Sequence, residues 1–337
     1  MHRTLCGWEY YVLLKEAQTL LKNRMSKAYQ ISDKLFRLDF SKFSLIICIG
    51  EYFYVTQSPP QSPQNPTSFA MTLRKHVGSK FLDSFKQYQN DRIYILEFSN
   101  NYKIVIEQFS KGNMFLLDDT GKIIRPYSFK PSEKKSYAIG QEYSFEKSPP
   151  LYLLQNLEEF NLFKKENSQK SISSALGKLS FGKIYTNDIL DSLKIERNTL
   201  IDDINDQQAQ DIISCLSQMQ KSAQPLICKR EGVYELSLRP LQGWDIVQRF
   251  DSFSSAIEKF IQSGFDSSSK QNNQKNPQII RMQIRLVEQQ NAILKLDKEL
   301  NELEIVAKNV QTDIDKIQLL LDKAKKEGKK SLIISDL

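Results

Sequence analysis

The chain has 337 residues and a mass of 39.1 kDa, with 40% hydrophobic and 26% charged residues, which suggests two or three folded domains. No apolar run approaches the roughly 20 residues that cross a bilayer, and residues 1–10 lack the apolar stretch of a secretory leader, so membrane and secreted classes are set aside. The net charge of +7 lies wholly in residues 1–150, with 21 Lys+Arg against 14 Asp+Glu; a basic module joined to a neutral remainder suits a polyanion, most often nucleic acid.

Trp8, Tyr11, Leu14, Ala17 and Leu21 recur at three- and four-residue steps, which predicts an amphipathic first helix. From about Ser32 the period becomes two, and the segments 35–40, 44–49 and 52–55 read as a strand meander. A polar, Pro-rich loop at 58–66 and a helical stretch at 68–88 follow. Strands return at 92–98, 103–109 and 113–117, with Asp118, Asp119, Thr120 and Gly121 as a turn into Ile123. Helices and strands in this order indicate an α+β fold with antiparallel sheets. The expected domain boundaries are 1–148, 149–270 and 275–337.

Residues 151–222 predict short helices, 226–238 a small hairpin turning at Glu231 and Gly232, and 250–261 a further helix. A low-complexity linker at 267–275 precedes one long helix over about 277–327, with Leu286, Ile293, Leu296, Leu300, Leu303, Val310, Ile314, Ile317 and Leu321 as a coiled-coil seam. A seam of that length needs a second helix. The chain is expected either to self-associate through it or to be the front part of a longer protein.

Enzyme templates are missing: no P-loop, GxGxxG, HExxH or GxSxG occurs. Four scattered cysteines and two histidines fit neither a zinc knuckle nor a disulfide framework, so no metal site, no cofactor and a reducing cytoplasmic setting are expected. Paired carboxylates such as Asp118/Asp119 read as turn residues. Three clusters suit a polyanion instead. Phe69, Leu73 and Val77 form one face of a helix from which Arg74, Lys75, His76 and Lys80 can project toward phosphate. An amphipathic helix with a solvated basic face reads the same residues equally well. Asp91 and Arg92 set a carboxylate beside a guanidinium, able to read a base edge or a phosphate, although a local turn with an ion pair is the plainer reading. The segment 176–185, with Gly177, Lys178, Gly182 and Lys183, resembles a helix–hairpin–helix element offering backbone N–H groups to phosphate, or else a plain helical corner.

The strings NPTSFAMTLRKHVGSKF, NDRIYILEF and YKIVIEQFSKGNMFLLDDTGKII resemble the N-terminal domain of the NFACT family of ribosome-associated quality control factors. The order of parts is also similar: an NFACT-N domain whose shape is like that of formamidopyrimidine glycosylases, a helix–hairpin–helix middle domain and a long coiled-coil arm. The family's C-terminal NFACT-R domain has no counterpart in this sequence. The resemblance implies binding to obstructed large ribosomal subunits carrying peptidyl-tRNA. It also implies recruitment of aminoacyl-tRNA, commonly alanyl-tRNA, for mRNA-independent tailing of the stalled chain. The ribosome forms the bonds, so the protein itself is expected to be no enzyme. By the same resemblance Asp91 and Arg92 engage tRNA, Glu9 stands where relatives usually carry an aspartate of the same functional group, and Arg74, Lys75 and His76 contact RNA phosphate.

Three other readings exist. A glycosylase of related shape would attack with an N-terminal proline amine, and the first proline here is Pro59. A surface adhesin would need a leader or an anchor. A coiled-coil scaffold without an RNA role would scatter its basic residues instead of grouping them.

Overall fold

The computed structural model describes residues 3–89, 91–129, 137–145, 154–265 and 313–328, with helical positions also at Leu296, Leu300, Leu303, Lys308 and Gln311. The chain divides into two units, residues 1–268 and 269–337.

The first unit opens with helix α1 (Gly7–Ala17). Its buried residues are Trp8, Glu9, Tyr10, Leu13 and Ala17, while Tyr11 is 46% exposed, so the expected stripe is rotated by one position. A four-stranded antiparallel meander follows, β1 (Met25–Gln30), β2 (Leu35–Phe40), β3 (Phe43–Cys48) and β4 (Tyr52–Thr56). Strand β1, MSKAYQ, lay outside the expected strands because an edge strand with one bare side shows little alternation. Helix α2 (Ser68–Val77) is capped by Thr67, whose hydroxyl accepts the N–H of Ala70.

The helix expected over 68–88 ends at Val77. A Cβ at Gly78 would stand 2.2 Å from the Arg74 carbonyl oxygen, and Ser79 turns to φ +61°, so the chain leaves the helix and re-enters as a strand. That strand, β5 (Leu82–Gln87), begins a five-stranded antiparallel meander with β6 (Ile93–Phe98), β7 (Lys103–Glu107), β8 (Asn113–Leu117) and β9 (Ile123–Pro126).

The two sheets meet at a close backbone contact. Gly50 and Gly112 both have positive φ, and a Cβ on Gly112 would lie 2.4 Å from the Gly50 nitrogen. Gln108, fully buried, accepts the Gly50 N–H at 2.6 Å and donates to the Tyr52 carbonyl at 3.1 Å.

Short helices come next, as expected: α3 (Leu157–Glu166), α4 (Ile172–Leu176), α5 (Gly182–Ser192) and α6 (Asp206–Lys221). The hairpin of β10 (Leu226–Arg230) and β11 (Val233–Ser237) turns at Glu231 and Gly232, both at positive φ. A third strand, β12 (Asp245–Arg249), pairs with the other edge of β10 and is exposed along its whole length, which left no hydrophobic pattern to read. Helix α7 (Phe253–Gln262) is capped by Ser252. Glu16 of α1 accepts the N–H groups of Phe253 and Ser254 at 2.6 and 2.9 Å, an anion seated on the positive end of α7. Three antiparallel sheets and their helices share one main buried cluster running from Leu5 to Phe260, so the α+β reading holds.

In the second unit, helix α8 (Ile314–Lys326) has no buried residue, and Ile314, Leu319 and Leu321 are exposed. Leu286, Ile293 and Val310 of the expected seam lie outside the described residues.

Candidate nucleic-acid interface

The N-terminus of α1 is where the strand-rich and helical parts of the first unit are joined. Cys6 is the N-cap, and Glu9, three residues into the helix, returns its carboxylate to the Cys6 N–H at 2.8 Å. The same carboxylate takes a two-pronged ion pair from Arg3 and a 2.7 Å hydrogen bond from the Tyr185 hydroxyl of α5. Arg3 also donates to the Leu236 carbonyl at 2.9 Å and lies 3.2 Å from Glu235. Tyr185 accepts the Leu238 N–H at 3.0 Å. Trp8 packs edge-on against Phe181 and Tyr185, and its N–H donates to the Ser180 carbonyl.

Burial pushes the Glu9 carboxyl up, but the Arg3 charge and the hydrogen bonds from Arg3, Cys6 and Tyr185 outweigh it and hold the group below its usual value. Glu9 has no exposed surface. The expected direct contact of Glu9 with tRNA is therefore corrected: its carboxylate is an internal anchor of α1 onto α5 and β11.

Asp91 and Arg92 occupy the turn between β5 and β6. The Asp91 carboxylate accepts the Arg92 backbone N–H at 2.8 Å, its carbonyl accepts from Gln87 at 2.7 Å, and its N–H donates to Tyr88. The carboxylate thus shapes the turn and is not paired with the neighbouring guanidinium. Arg92 is half-buried, and among the described residues its guanidinium makes no hydrogen bond or ion pair. It lies near Tyr10 and Tyr94, two buried rings 5.2 Å apart. Burial drives both phenols up, and the Arg92 charge opposes this in each. The Tyr94 hydroxyl is buried without a hydrogen-bond partner among the described residues. Tyr10 is also within the field of Glu9, so one tyrosine connects the anchor to the Asp91–Arg92 turn. Tyr10 and Tyr94 sat unremarked in the sequence because buried aromatic residues on a helix and a strand look like core.

The basic residues of α2 separate into held and free. Arg74 donates through Nε to the Ala28 carbonyl at 2.8 Å and lies over the Tyr29 ring at 4.6 Å, so it is pinned across β1 and not free for phosphate. His76 stacks on Tyr102 with centroids 5.6 Å apart. Burial, then the Lys75 charge, lowers its pKa from 6.5, which favours the neutral ring over the cation in the free chain. Lys75 and Lys80 are exposed, and their ammonium groups make no hydrogen bond or ion pair among the described residues. These two are the free ammonium groups of this face.

In the middle part, four N–H groups of the turn between α4 and α5 are occupied within it. The N–H groups of Gly177, Lys178, Leu179 and Gly182 donate to Ser173, Ala175, Leu176 and Leu179. The turn packs on α1 so tightly that a Cβ on Gly182 would lie 2.9 Å from the Cys6 Cβ, and one on Gly7 3.0 Å from that of Ser180. This turn is thus also a docking surface for α1. Lys178 and Lys183 remain exposed at its flank. Among the described residues no cluster of His, Cys, Asp or Glu could hold a metal ion, and no helix is long and apolar enough to cross a membrane.

A family model described as NFACT N-terminal and middle domains matches residues 11–337. Ribosome quality control complex subunit 2 of Saccharomyces cerevisiae is 33% identical over 132 residues, which cover 37% of this chain and 13% of the yeast protein. The archaeal Rqc2 homolog aRqcH of Methanocaldococcus jannaschii is 30% identical over 167 residues, 45% of this chain and 25% of the archaeal one. The matched region thus spans a quarter or less of these relatives' length. Among solved structures, the N-terminal part of the fibronectin/fibrinogen-binding protein from Streptococcus suis superposes with a TM-score of 0.59 at 20% identity, covering 77% of this chain and 100% of that one. That likeness is one of fold.

Proposed function

The chain belongs to the family defined by NFACT N-terminal and middle domains, and from that premise we propose that it is a ribosome-associated quality control factor. It binds large ribosomal subunits obstructed by peptidyl-tRNA, through rRNA and tRNA, and recruits aminoacyl-tRNA, alanyl-tRNA first among the candidates, for mRNA-independent tailing of the stalled chain. It acts in the cytoplasm as a binding factor, not as an enzyme. Residues 149–270 serve as the helix–hairpin–helix middle domain, and 275–337 as one arm of a coiled coil reaching across the particle.

The observation that carries this reading is the Arg92 guanidinium, half-buried at the turn beside α1 yet free of hydrogen bonds and ion pairs among the described residues. A planar fork left without a protein acceptor suits a phosphate or a base edge. Asp91 sets the turn that presents it, and Glu9 fixes the helix behind it. Lys75 and Lys80 supply sequence-independent attraction to the backbone, with salt-dependent strength.

The test is recovery of RNA crosslinked to the protein in cells, wild type beside the double variant Asp91→Ala/Arg92→Ala. Large-subunit rRNA with one enriched tRNA, and loss of only the tRNA in the variant, is the expected result. Recovery of rRNA without tRNA would leave a ribosome-docking scaffold. Recovery of neither would overturn the reading.

A further inference from the structure

Asn167 follows the last residue of α3 and is 4% exposed. Its amide is fixed in orientation: Nδ2 donates to the Phe163 carbonyl at 2.9 Å, leaving Oδ1 as the open acceptor. Two lysines converge on that one oxygen, Lys170 at 3.2 Å and Lys178 at 3.0 Å. Two unit positive charges therefore share a neutral acceptor, and among the described residues neither ammonium has an acidic partner. The end of α3 favours one cation through its dipole, but a second ammonium beside the first is repelled. The hydrogen-bonded Lys170 ammonium, with a little burial and its direct repulsion, lowers the pKa of Lys178. A third lysine borders the pair, since the stem of Lys183 lies against Gly177, with its Cγ 3.0 Å from where a Cβ would be.

A pair of ammonium groups held together without an anion is an incomplete arrangement. Each keeps donors beyond the one given to Asn167, and an anion bridging them would replace repulsion with two charge-assisted hydrogen bonds. We propose that Lys170 and Lys178, set by Asn167, form a clamp for one backbone phosphate of RNA. The clamp rests on the proposed ribosomal role and locates its phosphate contact in the middle part. The contact is made by side chains at the flank of the α4–α5 turn, where the N–H groups of Gly177, Lys178, Leu179 and Gly182 are already occupied. It reads charge and not sequence.

The test uses the full chain and fluorescently labelled tRNA, measuring affinity against salt concentration for wild type, Lys170→Gln/Lys178→Gln and Asn167→Asp. Asn167→Asp keeps the shape of the side chain and places a carboxylate between the two lysines, in competition with phosphate. Thermal unfolding checks that each variant folds. The expected result is an affinity loss of about 5- to 10-fold in both variants and a salt slope smaller by about one, equally for unrelated RNA sequences. Wild-type slope and affinity in both folded variants would overturn the clamp while leaving the proposed function standing. Failure of wild type to bind tRNA or large subunits would overturn both. A parallel titration with inorganic phosphate, followed by NMR of the lysine side chains, separates the sources. Shifts at Lys170 and Lys178 that RNA also produces support the clamp. Shifts with inorganic phosphate that RNA does not reproduce overturn it.

Discussion

The Tyr185 hydroxyl donates to the Glu9 carboxylate at 2.7 Å and accepts the Leu238 N–H at 3.0 Å, so one phenol ties three segments remote in sequence. Arg3 closes the same node from the other side through its ion pair with Glu9 and its bond to Leu236. Glu9→Gln removes the two-pronged ion pair and leaves Arg3 only Glu235, at 3.2 Å, as an ionic partner, so it should cost about 1.5–3 kcal/mol. Tyr185→Phe, which removes a hydrogen bond to a charged acceptor, should cost about 1.5–3 kcal/mol. Urea unfolding of both singles and the double variant checks the coupling. Strict additivity would contradict a shared node.

The same carboxyl gives the chain a signature in acid. Burial raises Glu9, yet Arg3 and the surrounding donors hold it below the usual 4.5. The folded state therefore binds fewer protons there than the unfolded chain, and stability falls as the pH drops below the unfolded value and through the folded one. Unfolding free energy measured from pH 6 downward should decline below about pH 4.5. Glu9→Gln should flatten that decline; an unchanged pH slope in the variant would remove Glu9 from the account.

Gly112→Ala places a Cβ 2.4 Å from the Gly50 nitrogen at a backbone φ of +67°. Strain and overpacking together should cost about 2–4 kcal/mol, read as a lower midpoint in urea. Gly121→Ala is the control, because its φ is also positive but no atom lies within 4 Å. The difference between the two variants isolates the contact between the sheets.

Two arginines close in sequence should respond oppositely. Arg74→Ala loses the bond to Ala28 and the stack on Tyr29, so it should lower stability by about 1–2 kcal/mol and change tRNA affinity little. Arg92→Ala loses no hydrogen bond or ion pair among the described residues. Its stability should stay within about 0.5 kcal/mol of wild type while tRNA affinity falls at least several-fold. Side-by-side thermal unfolding and tRNA binding check both.

His76 should titrate below 6.5, so tRNA affinity between pH 6.5 and 8 should not follow its protonation. A proton NMR titration of the ring measures this directly. A value above 6.5 would restore it as a cation.

Much of the architecture was legible in residue patterns. Alternation marked β2, short apolar runs marked β3, β4 and β6 to β8, and Glu231 with Gly232 marked the hairpin of β10 and β11. Strands β1 and β12 were invisible because edge positions bury too few side chains to leave a period. Strand β5 was hidden by the helix before it, since local propensity does not locate a stop that depends on where a Cβ at Gly78 would fall. Of the site, charge and type were readable but availability was not. Arg74 and Lys75 are neighbours with the same formal charge, and only packing shows that one is held and the other free. Glu9 read as an acidic residue near a helix start, and its partner Tyr185 lies too far along the chain for spacing to reveal it.

Glu9 and Glu16 together set an order of events during synthesis. Glu9 waits for Tyr185, and Glu16 for the N–H groups of Phe253 and Ser254, some 237 residues downstream. Helix α1 is among the first segments made, yet its carboxylates gain their partners only when α5 and α7 have left the ribosome. Contacts so distant in sequence close slowly and late. A nascent copy of this protein that stalls before α7 thus carries a first helix with its docking surfaces still open, accessible to proteases and chaperones until α7 arrives.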